Sequence, residues 1–225
     1  MKVWIGWDPR EQEAYDVCRF SIEKHTVLSE VSPLRQGDLR AAGLYWRPKD
    51  AAATDFSLTR FLVPRLQGYE GWALFCDCDF LFTADLAGLF ALADDRHAAM
   101  VVKHNHQPTE ALKMDGQVQA GYPRKNWSSL ILWNCGHPKN ANLTPEVVST
   151  VAPSFLHQFQ WLRDEEVGEL PILWNFLVGF YKPPTRAHLP MGIHYTSGGP
   201  WFEGHAAVDY AADWRHYREE MEARK

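Results

Sequence analysis

The sequence predicts an α/β fold in which a mainly parallel central sheet is flanked by helices. Two observations predict it: short apolar runs alternate with longer amphipathic segments, and the apolar runs are nearly continuous rather than alternating with polar residues. Strands of this kind are buried on both faces, as in parallel sheets covered by helices on both sides. In such sheets the ligand binds at the carboxyl ends of the strands.

The first half of the chain, residues 1–104, carries most of the predicted elements. Its first helix has Ala14, Val17, Cys18 and Ile22 on one stripe at helical spacing, after a turn written DPRE. Strands and helices then alternate. We predict strands at 2–7, 30–35, 71–82 and 97–104, and helices at 11–25, 55–66 and 85–95.

The second half, residues 105–225, is less regular. After a stretch rich in Gly, Pro and Gln, NWSSLILWN predicts a strand at 126–134, and PILWNFLVGFY supplies another apolar segment at 171–181. The charged C-terminal segment 210–225 predicts a solvated helix. We expect this half to build onto the first, so that 1–225 forms one domain.

Composition excludes several classes of protein. With 225 residues and 46% hydrophobic content the chain can bury a substantial core, so it is not a disordered tail. A net charge of −5 gives no general attraction to nucleic acid, and no apolar run approaches the roughly 20 residues that span a membrane. A cytoplasmic location is expected, with peripheral membrane contact left open. The four cysteines are expected to be reduced core thiols.

Asp77 and Asp79 stand two apart in the apolar run FCDCDFLF. On one strand they would share a face while Cys76 and Cys78 share the other, because strand side chains alternate. Two convergent carboxylates repel each other unless a positive group lies between them, and a divalent cation is the usual partner. The structural alternative is that one aspartate caps a turn and the other pairs with an arginine.

The arrangement of an apolar strand, Asp-Cys-Asp and DLAGLF resembles the DxD signature of GT-A glycosyltransferases, in particular family 8. Three more segments are similar to that family: DFSLTRFLVPRL, with Arg60 beside the DxD; NWSSLILWN, which cradles the donor sugar; and GIHYTSGGPWF, with His194 as a third metal ligand. The stretches DPRE, YPRKNWSS and GGPWF also resemble a group of bacterial glycosyltransferase-like proteins.

This resemblance implies the GT-A, Rossmann-like fold and a hexosyltransferase that uses a UDP-hexose donor. Residues 1–104 would bind the nucleotide, and 105–225 would bind the donor sugar and, through a C-terminal extension, the acceptor. The acceptor would be a glycan, a lipid-linked molecule or a protein, and the anomeric configuration would be retained. A metal ion held by Asp77, Asp79 and His194 would neutralise the diphosphate leaving group. The imidazole ligand favours Mn²⁺, with Mg²⁺ as the alternative.

Further donor-binding candidates follow from position and from the resemblance. Asp8 comes directly after the first strand, where it either meets the nucleotide or starts a turn for local reasons. Aromatic rings stack on sugars, and two tryptophans lie beside small polar residues. The predicted donor-binding residues are Asp8, Arg60, Asp77, Trp127, Ser128, Ser129, Ser197, Gly198, Gly199 and Trp201.

The chain departs from the family pattern at two places. The lysine that follows the late histidine is missing, so we expect backbone N–H groups of Ser197, Gly198 and Gly199 to face the diphosphate, with the cations Arg124 and Lys125 as the alternative. The acidic pattern near the reacting carbon is matched only by a run of three acidic residues, whose alternative is a solvated turn. These catalytic candidates are Asp164, Glu165 and Glu166.

Two other functions remain open at this stage. A metal-dependent nucleotidyltransferase or nucleotide-sugar hydrolase also needs clustered carboxylates, but no Gly-rich basic phosphate loop precedes the DxD. A non-catalytic carbohydrate-binding protein could keep the fold, and the missing lysine favours it. The sequence HNH at 104–106 is interpreted as a polar loop.

Overall fold

The computed structural model describes residues 1–27, 29–48, 54–105, 124, 126–184 and 189–224. Within them, the main sheet contains β1 (Lys2–Trp7), β2 (Glu30–Arg35), β3 (Trp72–Cys76), β5 (Ala99–Val101), β6 (Leu130–Asn134) and β7 (Val167–Glu169). Their order in the sheet is β2-β1-β3-β6-β5-β7. Strand β6 runs antiparallel to both its neighbours and the other pairings are parallel, so the predicted mainly parallel sheet is confirmed.

A smaller sheet stands beside the main one and uses strands from both halves of the chain. Strand β9 (Gly192–His194) lies in its centre, antiparallel to β4 (Phe80–Phe82) and parallel to β8 (Phe176–Leu177). Strands β6 and β7 of the second half likewise join the main sheet. The second half of the chain therefore contributes strands to both sheets.

Seven α-helices are seen in the described residues, and the longest two pack on each other. None is long and apolar enough to cross a membrane. The helices are α1 (Gln12–His25), α2 (Gln36–Ala41), α3 (Val63–Leu66), α4 (Ala87–Phe90), α5 (Pro145–Thr150), α6 (Pro153–His157) and α7 (Ala211–Glu222). The predicted stripe of α1, from Ala14 to Ile22, is buried.

The prediction for the C-terminal helix was wrong on one face. Helix α7 buries Trp214 and Tyr217, and the Tyr217 hydroxyl lies 2.7 Å from Nε2 of His25 in α1. An ion pair between Lys24 and Glu220 joins the same two helices. The charges of α7 thus cover its outer side, while its aromatic residues anchor it on α1.

The predicted strand 71–82 is divided in two. Strand β3 ends at Cys76, and β4 leaves at Phe80 for the smaller sheet. The Asp77 N–H still donates to the Ser129 carbonyl (2.9 Å), in register with the β3–β6 pairing, and the chain then turns through Cys78 and Asp79 so that Phe80 pairs with His194 of β9. The two carboxylates therefore lie in a turn at the carboxyl end of β3, rather than on one face of a long strand.

Two of the predicted helices are shorter than expected. The helix predicted at 55–66 consists of a 3₁₀ turn, Thr59–Leu62, followed by α3, and the helix predicted at 85–95 is reduced to α4. All four cysteines are buried and free, as predicted. Burial raises the pKa of the Cys76 and Cys78 thiols well above the usual value, so both are unreactive.

Candidate metal and donor site

The ends of three neighbouring strands define one edge of the main sheet. Strands β1 and β3 are parallel, so their carboxyl ends at Trp7 and Cys76 meet at this edge. Strand β6 is antiparallel to β3 and begins here, since Leu130 pairs with Cys76. The turns after β1 and β3 and the turn before β6 therefore meet at one place, which is where open α/β sheets bind ligands.

Asp77, Asp79 and His194 form a cluster at this edge. One ligand atom from each lies within 4.8 Å of the others. His194 arrives through the smaller sheet, in which it pairs with Phe80, and its ring stacks on Phe80 with 4.4 Å between ring centroids. Its Nε2 lies 3.3 Å from Oδ2 of Asp79. The pairing of β4 with β9 thus places the late histidine beside the DxD, as predicted.

The cluster fits a divalent cation. Ligand atoms held at about 2.0–2.4 Å from one ion lie up to about 4.8 Å apart, which matches the separations here. Two carboxylates and one imidazole are the mixed oxygen and nitrogen donors that transition metals accept. The side chains of Asp77 and Asp79 keep 16% and 19% of their surface exposed, so an ion held here remains accessible to a further ligand.

Arg60 lies against the DxD. Its Nη1 lies 2.7 Å from Oδ1 of Asp77 and donates to the Ser128 carbonyl (2.6 Å), while its Nε donates to the Ser57 carbonyl (2.9 Å). The guanidinium also lies over the Phe75 ring. An arginine paired with one aspartate agrees with the structural alternative as well. That alternative did not predict that His194 would lie beside Asp79.

Glu11 is a further carboxylate at this edge, and it was not predicted from the sequence. It ends the turn after β1 and is partly buried. Burial, together with the nearby charges of Asp79, Asp8 and Asp77, raises the pKa of Glu11 to about 8. The signal was present in DPRE, because this charged turn follows a buried strand and therefore lies at the ligand edge.

Replacing Glu11 with Gln should change how stability depends on pH. In the metal-free protein the folded state keeps the Glu11 proton up to about pH 8, whereas an unfolded Glu loses it near 4.5. The free energy of unfolding of the parent therefore falls as pH rises through this window. At pH 8.5 we expect Glu11→Gln to be more stable than the parent by about 1–3 kcal/mol, with no gain at pH 4.5, in urea unfolding with EDTA.

The matched control is Glu70→Gln, the same change at an exposed position between α3 and β3. It should stay within about 0.5 kcal/mol of the parent at both pH values. Equal stability of Glu11→Gln and the parent across the whole pH range would show that Glu11 is ionised in the folded protein.

Asp8 serves the local structure. It is fully buried and accepts from the backbone N–H and side chain of Arg10 and from the Asp55 N–H. Burial alone would raise its pKa, but these hydrogen bonds outweigh burial and lower the pKa of Asp8. The four bonds use the acceptor sites of the carboxylate. They support the turn interpretation of Asp8 and not direct contact with a nucleotide.

Residues 127–129 lie in a 3₁₀ turn that leads into β6. The Ser128 carbonyl holds Arg60, the Ser128 hydroxyl is 3.0 Å from Nδ1 of His157, and the Ser129 carbonyl holds the Asp77 N–H. Trp127 is partly buried, and its Nε1 donates to the His104 carbonyl. The two serines therefore lie beside the DxD and support it through their carbonyl groups, whereas Trp127 is bonded to the segment at His104.

The glycine loop differs from the expectation. The Gly198 N–H donates to the Tyr195 carbonyl (2.6 Å), so it does not face outward as predicted. A Cβ on Gly199 would lie 2.0 Å from the Trp201 ring, so this glycine lets the indole pack closely. Trp201 stands in an aromatic cluster with Tyr195 and Trp214, at 5.7 and 5.5 Å between ring centroids. Trp201 and Gly199 thus have structural roles here.

The acidic run is not brought to the cluster. Asp164, Glu165 and Glu166 precede the amino end of β7, which runs parallel to β3, whereas Asp77 and Asp79 follow the carboxyl end of β3. The side chain of Asp164 pairs with Arg124, and the Arg163 N–H donates to Glu166, which lowers the pKa of Glu166. These positions agree with the structural alternative and do not support the catalytic prediction.

Two predicted positions lie outside the described residues, namely Lys125 and His106 of the HNH sequence. His104 is buried, and its Nδ1 is 2.8 Å from the Tyr181 hydroxyl. Sequence reasoning also missed Asn175, which is fully buried and lies 2.8 Å from Nδ1 of His194. Its only signal was a polar residue within the apolar run PILWNFLVGFY.

Comparison with known proteins gives one close relative and several similar structures. No protein-family model matches the chain. Protein CDI of Arabidopsis thaliana is 50% identical over 225 residues, which covers 97% of this chain and 86% of the relative. This relative is a plant protein, so the comparison does not confirm the resemblance to a bacterial group.

The similar solved structures are glycosyltransferases at low sequence identity. GlyE of Streptococcus pneumoniae TIGR4 has a TM-score of 0.64 at 14% identity, over 96% of this chain and 59% of GlyE. The bifunctional glycosyltransferase WbbM has a TM-score of 0.67 at 16% identity, over 100% of this chain and 51% of WbbM. An active-site mutant of LgtC has a TM-score of 0.64 at 11% identity, over 98% and 96% of the two chains.

At such low sequence identity, the structural similarities establish the fold and not the reaction. The chain spans only about half of the first two glycosyltransferase chains, whereas it matches LgtC over nearly the full length of both. The sheet order, the cluster at its carboxyl edge and these similarities agree with one architecture. The chain has the GT-A fold and belongs to the same family as Protein CDI of Arabidopsis thaliana.

Proposed function

We propose that this protein is a metal-dependent glycosyltransferase that transfers a hexose from a UDP-sugar. One observation carries the proposal: Asp77, Asp79 and His194 converge at the ligand edge of a GT-A fold, with Arg60 paired to Asp77. The similar structures are glycosyltransferases, and one of them, LgtC, is a galactosyltransferase in complex with donor and acceptor sugar analogues. Transfer with retained configuration to a glycan, lipid-linked or protein acceptor is the expectation that the family 8 resemblance supports.

The proposed metal is Mn²⁺, with Mg²⁺ as the alternative. Asp77, Asp79 and His194 would hold the ion, because together they offer two oxygens and one nitrogen. An imidazole ligand favours Mn²⁺, since Mg²⁺ prefers oxygen donors. When bound, the ion would neutralise charge that develops on a diphosphate leaving group.

Residues of this chain prepare the site before any ligand arrives. Arg60 orients Asp77, because its guanidinium is fixed by two carbonyl groups and lies over the Phe75 ring. Asp79 is held in place through its carbonyl, which accepts from the Tyr195 N–H (3.0 Å). A preformed arrangement lowers the cost of ordering the ligands when the ion and the diphosphate bind.

The diphosphate needs positive potential beyond one ion. Since Gly198 is engaged with Tyr195, the remaining candidates in the loop are the N–H groups of Ser197 and Gly199. Arg124 is paired with Asp164 and donates to the Gln158 carbonyl, so it is held away from this role. We therefore keep the loop as the proposed contact and restrict it to these two N–H groups.

The deciding experiment is a thermal-shift screen of nucleotide sugars with and without Mn²⁺, followed by NMR detection of donor hydrolysis and transfer. A UDP-hexose should raise Tm only when Mn²⁺ is present, since a ligand at 100 times its Kd adds about 2.7 kcal/mol of stability. Slow release of the free sugar should accompany binding. If no nucleotide sugar raised the Tm above that of the protein with metal alone, in either Mn²⁺ or Mg²⁺, the proposed donor would be ruled out.

Three rival functions give different results in these experiments. A nucleotidyltransferase should respond to a nucleoside triphosphate and a sugar phosphate. A non-catalytic carbohydrate-binding protein should bind a sugar or donor without releasing product. A nucleotide-sugar hydrolase should release sugar at the same rate whether or not acceptors are added.

A further inference from the structure

A chain of three hydrogen bonds runs from a backbone carbonyl to the imidazole of His194. The Ser129 hydroxyl is 2.7 Å from the Asn126 carbonyl, and Nδ2 of Asn175 is 2.9 Å from the Ser129 hydroxyl. Oδ1 of Asn175 is in turn 2.8 Å from Nδ1 of His194. The side chains of Ser129, Asn175 and His194 are all buried, so water does not compete for these bonds.

The direction of each bond follows from counting protons. A carbonyl only accepts, so the single hydroxyl proton of Ser129 is donated to Asn126. The Ser129 oxygen therefore accepts from Asn175, which fixes the amide with its NH₂ toward Ser129 and its oxygen toward His194. Because an amide oxygen only accepts, Nδ1 of His194 must carry a proton.

We infer that Asn175 and Ser129 are positioning residues that hold the neutral His194 as the Nδ1–H tautomer, which leaves the Nε2 lone pair directed at the metal cluster. The inference deepens the proposed function and rests on its metal-binding role. It names the coordinating atom of His194 and assigns the fully buried Asn175 a reason for its burial: a polar side chain in an apolar core is costly unless its hydrogen bonds are used.

The geometry on the other side of the ring agrees. With Nδ1 protonated, neutral Nε2 is an acceptor, and it lies 3.3 Å from Oδ2 of Asp79, which is also an acceptor. Two acceptors at this separation repel unless a proton or a cation lies with them. A hydrogen bond on the far nitrogen that fixes the tautomer is the usual companion of a metal-ligating histidine.

The same turn also supports the opposite side of the cluster. Ser128 and Ser129 bind Arg60 and the Asp77 N–H through their carbonyl groups, while the Ser129 hydroxyl reaches His194 through Asn175. The turn 126–129 thus contacts the supports of both Asp77 and His194. Asn126 takes a left-handed conformation at its start, with a φ of +64°.

The first test is the tautomer itself, read by ¹⁵N NMR of the imidazole rings in metal-free protein near pH 8. Signals of His194 are assigned by their loss in His194→Gln. We expect the parent to show the Nδ1–H tautomer. Asn175→Leu removes the acceptor, and Ser129→Ala frees the amide to turn, so both should shift the population toward Nε2–H. Ser129→Thr keeps the hydroxyl and should restore the pattern of the parent.

The second test is Mn²⁺ affinity, measured by calorimetry or by EPR without any donor. Loss of a residue that orients a metal ligand typically weakens metal binding 10- to 100-fold. We expect about this loss in Asn175→Leu and a smaller loss in Ser129→Ala. Ser149→Ala is the matched control, because Ser149 is also a buried serine but its hydroxyl accepts from the Trp46 N–H instead.

The results separate this inference from the proposed function. An Nε2–H tautomer in the parent overturns the inference even where Mn²⁺ binds tightly. Failure of the parent to bind Mn²⁺ overturns the metal role, whatever the tautomer. Mn²⁺ affinity unchanged in a folded Asn175→Leu, as judged by circular dichroism, also overturns the inference. Should Asn175→Leu not fold, Ser129→Ala and Ser129→Thr decide the question by the same two measurements.

Discussion

Asp79→Asn is expected to abolish Mn²⁺-dependent binding of UDP. The change keeps the size of the side chain but removes the negative charge that faces Nε2 of His194. A neutral amide is a poor replacement for a carboxylate ligand, so we expect Mn²⁺ affinity to fall by about 100-fold or more, equivalent to about 2.7 kcal/mol. The gain in Tm that Mn²⁺ and UDP give together should disappear. Calorimetry with Mn²⁺ alone and then with UDP measures both effects.

The matched control for this prediction is Asp38→Asn, the same change at an exposed position of α2. It should bind Mn²⁺ and UDP as the parent does. Without metal, Asp79→Asn should be no less stable than the parent, because it removes the repulsion between the Asp77 and Asp79 carboxylates. UDP binding of equal strength in Asp79→Asn and the parent would exclude Asp79 from the metal site.

Arg60→Met is expected to lower the free energy of unfolding by about 3 kcal/mol. The substitution leaves the partly buried Asp77 without the cation at 2.7 Å, and it leaves the carbonyl groups of Ser57 and Ser128 without this donor. Removing one partner of a buried ion pair costs more than the pair contributes, because the remaining charge is desolvated and uncompensated. Urea unfolding of the metal-free protein at pH 7 measures the loss.

Two variants sharpen this test. Arg65→Met, an exposed position in α3, should change stability by no more than about 0.5 kcal/mol. Arg60→Lys keeps the charge but has no planar fork to reach two carbonyl groups and Asp77 together, so an intermediate loss is expected. A loss in Arg60→Met no larger than in Arg65→Met would show that Asp77 does not depend on Arg60.

Local patterns were sufficient for several elements. The bounds predicted for β1, β2 and α1 agree with the structure within one residue, because each has a clear apolar period and a turn signal beside it. The helices predicted at 55–66 and 85–95 are shorter in the structure. The apolar residues of these two segments indicate that they are buried, but burial alone does not show whether a segment forms one helix or several turns.

Tertiary contacts decided how the DxD is held. Nothing in GWALFCDCDFLF indicated a break, because the run is apolar on both sides of the aspartates. The Ser129 carbonyl holds the Asp77 N–H, and the break follows where the chain turns and β4 pairs with β9 instead of continuing in the main sheet. Both partners are distant in sequence, so no local pattern contains them.

The sequence by itself determined which chemical groups the site offers: two carboxylates within a buried apolar run, an arginine on the preceding segment, and a late histidine beside glycines. The tertiary structure decided which groups meet. It brought Glu11 and Asn175 to the cluster, left Asp164, Glu165 and Glu166 at the amino end of β7, and engaged Gly198 with Tyr195. Periodicity is a property of neighbouring residues, whereas a site at a sheet edge is assembled by strand pairing between segments far apart in the chain.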